Sequence, residues 1–371
     1  MKTLAIIFRG FRWFAVSLIV LLAVATFMGK SYGQTVCLVL IAVPLVYWPG
    51  FVSQKLKNWY SVGARILLII GLVVIKQVFF KSEPKSSIYR SEENRAQVMA
   101  LYDTCLKDWP SDSKFHFLNT EFGKVHFIEC GNANKPPLVM IHAASMGAHS
   151  WAENLAPLLE HFHVFSIDNP GEANRSELSN ALVFPNSPKE LADYYCELLD
   201  RMNIDSAVVF GASNGGFIAQ SLACYHPEKV TRLALFGPMG LTQLANGSVV
   251  MMGLATMYPF QFLRDAVARW ALGSDPACHI KYGEWFNEIM KGTIPSVSKP
   301  VPMSADQKRQ IDIPVLLFLG SNDRIVGDVD QATECAEEYP NIEIEILESG
   351  HLIAVECSEE VNERLSAFLE I

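Results

Sequence analysis

The chain has 371 residues, 50% of them hydrophobic and 19% charged, which is enough for one large core and too apolar for a disordered polypeptide. Its formal charge of −9 is unevenly spread: residues 1–80 hold eight Lys or Arg and no Asp or Glu, so residues 81–371 carry −17. So acidic a remainder argues against nucleic acid as a partner, and eight Cys without a Cys-x-x-Cys pair give neither a zinc pattern nor a small disulfide framework.

Three apolar stretches, 13–29, 35–52 and 66–80, follow one another, separated by short polar pieces that hold most of the positive charges. A helix needs about 20 apolar residues to cross a bilayer. The first two stretches reach that length with their flanks. The third has ten residues between Arg65 and Lys76 and spans only if both cations extend toward headgroups. Residues 1–80 are therefore expected to form a multi-pass membrane anchor of two or three transmembrane helices, with the lipid bilayer as partner. Arg9 and Arg12 before an apolar run also resemble a secretory signal, but the second long apolar run straight afterwards favours an uncleaved anchor. Cytoplasmic flanks carry the excess of Lys and Arg. On that rule two spans leave the rest of the chain cytoplasmic and three export it, and the charge count favours the cytoplasmic face.

Residues 81–114 read as a juncture with a mixed-charge lead-in helix over 92–107. From 115 onward, short β-branched and aromatic runs alternate with helix-length segments, the pattern of an α/β fold with a mainly parallel sheet and helices on both faces. Strands are expected at 124–129, 138–142, 162–167, 207–210, 232–236, 315–319 and 342–347, and helices at 151–159, 188–202 and 216–226. The long interval between 236 and 315 contains Trp270, Trp285 and several Met and Phe at helical spacing, so it reads as an inserted helical cap at about 240–310.

Gly211-Ala212-Ser213-Asn214-Gly215 lies between an expected strand and an expected helix. A serine exposed at a strand end needs a tight, strained turn, and small residues on either side let the two backbones approach. Its hydroxyl is a poor nucleophile unless a base takes the proton and a carboxylate orients that base. Among nine His, His351 stands between the last strand and a closing helix and is the favoured base, while His116, His126, His161, His163 and His226 are less suitably placed. Asp323, in the loop after the strand 315–319, is the favoured acid, with Asp328 and Asp330 as runners-up; the loop after Phe236 reads Gly237-Pro238-Met239 and offers none. The backbone amides of Asn214 and of Ala144, in the loop after the strand 138–142, are the candidate oxyanion donors, and His142 is read as a loop-packing residue.

These residues together resemble the α/β-hydrolase fold superfamily in its Ser-Asp-His esterase and lipase-like branch. The resemblance covers residues 115–371 and rests on the segment from Leu138 through His142 to Trp151, on Phe165-Ser166-Ile167-Asp168-Asn169-Pro170-Gly171, on the turn at Ser213, on the 320–323 loop and on Gly350-His351. It implies triad roles for Ser213, Asp323 and His351, and a serine nucleophile argues against dehalogenase or epoxide hydrolase chemistry. Ala143 replaces the Gly that usually follows the loop His, and the family's glycine-rich turn is degraded over 168–176, a change expected to be structural only. The expected activity is hydrolysis of a small-molecule carboxylic ester with an apolar acyl or alcohol group, without a cofactor. Thioesterase, lactonase, C–C hydrolase, perhydrolase and transacylase chemistry share the same residues, and a non-catalytic ligand-binding membrane sensor is the rival from another class. The chain carries no signal of oligomeric state.

Overall fold

The computed structural model describes residues 87–179, 185, 187–242, 261–271, 276–294 and 300–371. The expected membrane spans at 13–29, 35–52 and 66–80 lie outside the described residues, and among the described residues no helix is long and apolar enough to cross a membrane.

In chain order, α1 (Glu92–Cys105) is followed by β1 (Lys114–Thr120), β2 (Gly123–Gly131), β3 (Pro137–Ile141), a 3-10 helix (Ala148–Asn154), α2 (Ala156–Leu159), β4 (His163–Ile167) and β5 (Glu177–Leu178). Then come α3 (Pro188–Arg201), β6 (Ala207–Ala212), α4 (Asn214–Tyr225), β7 (Val230–Phe236), α5 (Gln261–Ala271), α6 (Pro276–Gly292) and α7 (Ala305–Arg309). The chain closes with β8 (Val315–Gly320), α8 (Val329–Ala336), β9 (Ile342–Leu347), α9 (Ile353–Glu356) and α10 (Ser358–Leu369).

The strands form one sheet in the order β1-β2-β4-β3-β6-β7-β8-β9, with β5 paired to β2. From β4 through β9 neighbouring strands run parallel, while β1, β2 and β4 pair antiparallel. The parallel centre is what its sequences demand: Leu-Val-Met-Ile in β3 and Val-Leu-Leu-Phe-Leu in β8 are apolar without a break, as strands covered on both faces must be. Alternation divides these residues between two cores. Val139, Ile141, Leu317 and Leu319 join Leu198, Phe217 and Leu222 of α3 and α4 on one face. Leu138, Met140, Leu316 and Phe318 join Trp151, Phe236, Leu365 and Phe368 on the other. Each large side chain so buried contributes about 1.5–3 kcal/mol.

Several expected boundaries move. The helix expected at 216–226 starts at Asn214, and the one expected at 151–159 divides into the 3-10 turn and α2, because Pro157 suits a first helical turn but not a helix interior. The strand expected to end at His142 ends at Ile141, so His142 opens the following loop. Strands β1 and β5 were not expected at all. Within the interval assigned to a cap, α5 and α6 are helical, and Tyr282, Trp285 and Ile289 of α6 pack with Val98 and Tyr102 of α1, Met146 and Leu352 in a third apolar cluster.

Candidate active site

Ser213 sits between β6 and α4 with φ 51° and ψ −114°, a left-handed conformation that a serine adopts only at a cost of about 1–3 kcal/mol. Three backbone bonds hold it there: its N–H donates to Phe236 O at 2.9 Å, and its carbonyl accepts from Met239 N–H at 2.9 Å and Phe217 N–H at 3.2 Å. The glycines around it admit no side chain. A Cβ on Gly215 would stand 2.2 Å from Ile141 O, one on Gly211 2.6 Å from Gly215 O, and one on Gly216 2.6 Å from Pro238 Cβ. Close approach of strand and helix backbones thus fixes the spacing read from the sequence, and it directs the Ser213 side chain out of the turn.

His351 Nε2 lies 2.8 Å from Ser213 Oγ, and its Nδ1 lies 2.7 Å from Asp323 Oδ2. With a carboxylate on Nδ1, the proton belongs there, and Nε2 accepts from the serine hydroxyl. Asp323 is itself fixed, its Oδ1 accepting from Ile325 N–H at 2.7 Å and Val326 N–H at 3.1 Å. Burial opposes charge on both groups, yet their mutual attraction prevails: the Asp323 carboxyl is held below its ordinary value and the His351 imidazole above its own. The loop that carries His351 closes over β8 because Gly320 has no side chain; a Cβ there would meet Gly350 O at 2.2 Å. Glu356 straps the same loop, its two carboxylate oxygens accepting from Gly350 N–H at 2.8 Å and Leu352 N–H at 3.0 Å.

None of the other candidate bases bonds to Ser213. His126 pairs with Asp168, His116 and His163 with Glu129, and His226 with Asp193. Of the runner-up acids, Asp328 is the N-cap of α8, accepting from the backbone N–H groups of Asp330 and Gln331. His142 is fully buried, its Nδ1–H donating to Ala143 O at 2.8 Å and its Nε2 accepting from Asn169 N–H at 2.9 Å, so it stiffens the loop after β3. Ala144 follows in that loop, half-buried, and Asn214 is the first residue of α4, where helix geometry leaves amides directed at the turn.

Sequence reasoning identified the degraded turn at 168–176 but missed the contacts it makes. Asp168, fully buried, accepts from Tyr102 O–H at 2.9 Å, Ala148 N–H at 2.7 Å and Arg175 N–H at 3.2 Å and pairs with His126 at 2.8 Å; burial pushes its carboxyl up, but His126, with His142 and the Ala148 N–H, brings it down to about 2. Glu172, 2% exposed, reaches the loop after β3. No spacing in Gly171-Glu172-Ala173-Asn174 announces either contact, and Tyr102 comes from the helix read only as a lead-in.

A small apolar pocket lined by Ala143, Met146, Ala212, Phe236, Leu352 and Val355 opens beside His351. Elsewhere Cys196, His226 and Glu228 each bring one possible metal-ligating atom within 4.8 Å of the others, but His226 is already paired on both ring nitrogens, with Asp193 and Glu228. A hydroxyl, an imidazole and a buried carboxylate bonded in series beside an apolar pocket are equipped for acyl transfer and need no metal.

Comparison with known proteins agrees with this fold. The family described as the alpha/beta hydrolase fold matches residues 136–272. The carboxylesterase nap of Bacillus subtilis (strain 168), itself described as uncharacterized, is 25% identical over 304 residues, covering 77% of this chain and 97% of that protein. Carboxylesterase YbfK of the same organism is 23% identical, covering 76% and 96%. The crystal structure of carboxylesterase CesB (YbfK) superimposes with a TM-score of 0.69 at 23% identity, covering 75% of this chain and 98% of that one. The chain thus has the fold of the α/β-hydrolase superfamily and is a serine hydrolase of the esterase type.

Proposed function

We propose that the chain hydrolyses carboxylic esters through an acyl-enzyme formed on Ser213. The observation that carries this reading is the unbroken series Ser213 Oγ, His351, Asp323, at 2.8 and 2.7 Å. His351 Nε2 takes the hydroxyl proton as Oγ attacks the ester carbonyl, and Asp323 orients the imidazole and stabilises its cation. The N–H groups of Ala144 and Asn214 donate to the carbonyl oxygen as negative charge develops on it. His351 then gives its proton to the departing alcohol. Water enters, loses a proton to the same nitrogen, attacks the acyl group and releases the acid, restoring Ser213 Oγ–H. The apolar pocket beside His351 favours an ester whose acyl or alcohol part is apolar.

Residues 1–80 anchor this enzyme in a bilayer, with its catalytic part on the cytoplasmic face. The support is the run of eighty residues without a carboxylate and the placement of its cations. A fluorophosphonate probe tests the chemistry: it labels the wild type, while Ser213→Ala abolishes both labelling and ester hydrolysis. A folded Ser213→Ala protein with turnover above background overturns the serine mechanism.

A further inference from the structure

The loop that carries Ala144 is gripped from two sides at one residue. Ser145, at φ 63°, donates its N–H to Glu172 Oε2 at 2.6 Å, while its carbonyl accepts from Trp285 Nε1–H of α6 at 2.8 Å. Ser145 therefore cannot relax toward an ordinary backbone conformation without straining these two partly buried bonds, and a left-handed serine persists only where its surroundings hold it. The next residue back is the proposed oxyanion donor. Fixing Ser145 fixes the peptide plane between residues 144 and 145 and, through it, the direction of the loop at Ala144.

We propose that Glu172 is a positioning residue for the oxyanion loop: its buried carboxyl group holds the Ser145 N–H and so sets the course of the loop at Ala144. Burial pushes the Glu172 carboxyl up to about 8, and Asp168 nearby adds to that, although the Ser145 N–H and the Asn169 side chain favour the anion. The titratable groups around it agree with a neutral acid. Asp168 is the anion that faces it from the same loop, Tyr195 of α3 keeps its proton, and His142 after β3 is kept neutral by burial. An ionised Glu172 would repel negative charge developing on the substrate. Glutamine would keep the acceptor and never ionise; alanine would release the loop.

The inference rests on the proposed hydrolysis, and the two fail separately when turnover and a substrate-free signal are read together. In full-length protein, Glu172→Ala should lose on the order of 10²-fold in kcat with KM little changed, as expected when a catalytic donor is misplaced by about 1 Å. The wild-type rate should fall as pH rises through about 8, and Glu172→Gln should restore kcat at neutral pH and abolish that fall. The Ser145 amide resonance, followed by NMR without substrate, should titrate over the same range in the wild type and stay constant in Glu172→Gln. A Glu172→Gln protein as slow as Glu172→Ala, an alkaline fall unchanged in Glu172→Gln, or a wild-type Ser145 signal independent of pH overturns the proposal. Absence of wild-type turnover removes the hydrolase reading, and the amide titration then still decides whether Glu172 grips Ser145 as an acid.

Discussion

A Cβ on Gly237 would stand 3.1 Å from Asp323 Oδ2, so the ends of β7 and β8 offer two routes to one carboxylate position beside His351. At 237 the chain has a glycine at φ 48°, and the carboxylate comes from 323. Asp323→Asn should therefore keep the fold and lose on the order of 10⁴ in turnover, the penalty of holding the imidazole in the wrong tautomer. Asp328→Ala should instead leave kcat intact and cost about 1 kcal/mol of stability, the value of a helix N-cap. Steady-state kinetics and denaturant titration of both variants separate the two acids, and a crippled Asp328→Ala beside a silent Asp323→Asn would reverse the assignment.

The pH dependence follows from His351. It must be neutral to accept the Ser213 proton, and Asp323 holds its pKa above the ordinary 6.5 despite burial. The rate should fall as pH drops through a value above 6.5, and in Asp323→Asn that acid limb should move to lower pH. Stability runs the other way: a histidine whose pKa is raised by folding contributes most below about 6.5 and loses that contribution as pH rises through the folded value. Turnover and His351-linked stability should therefore change in opposite directions over one pH window, as kcat/KM profiles and thermal melts of wild type and His351→Gln will report.

Gly215→Ala tests the packing of the turn. Its new methyl would meet main-chain oxygens of Ile141 and His142 at 2.2 and 2.6 Å, and backbone cannot yield as a flexible side chain does. The expected cost is about 3 kcal/mol or more, the upper end for overpacked sites, read as a lower denaturation midpoint with turnover lost as well. A variant as stable as wild type would mean that β3 and α4 are less closely apposed than described.

Topology is tested by fusing alkaline phosphatase, active only when exported, after Ile371 in a bacterial host. The charge distribution of residues 1–80 leads to little phosphatase activity. Strong activity would establish a third span and an exported catalytic part.

The parallel strands and the Ser213 turn were legible because each imposes a local signature, an unbroken apolar run or small residues at fixed offsets. Strand β1 was not: Lys-Phe-His-Phe-Leu-Asn-Thr is an edge strand whose Phe115 and Phe117 remain 45% and 49% exposed, so no buried face marks it. The grip of Glu172 on Ser145 and the gathering of Tyr102, His126 and Ala148 around Asp168 join residues from 20 to 66 positions apart. Their side chains are ordinary polar residues until the sheet brings them together, and a degraded glycine motif at 168–176 concealed that the turn is a buried polar junction.

The left-handed backbone of Ser213 sets stability and activity against each other at a single codon. Glycine takes that conformation freely, so Ser213→Gly should relieve about 1 kcal/mol of strain and yield a sturdier, inert protein. A library enriched for thermal resistance alone would drift toward discarding its own nucleophile, and one enriched for turnover would keep the strain.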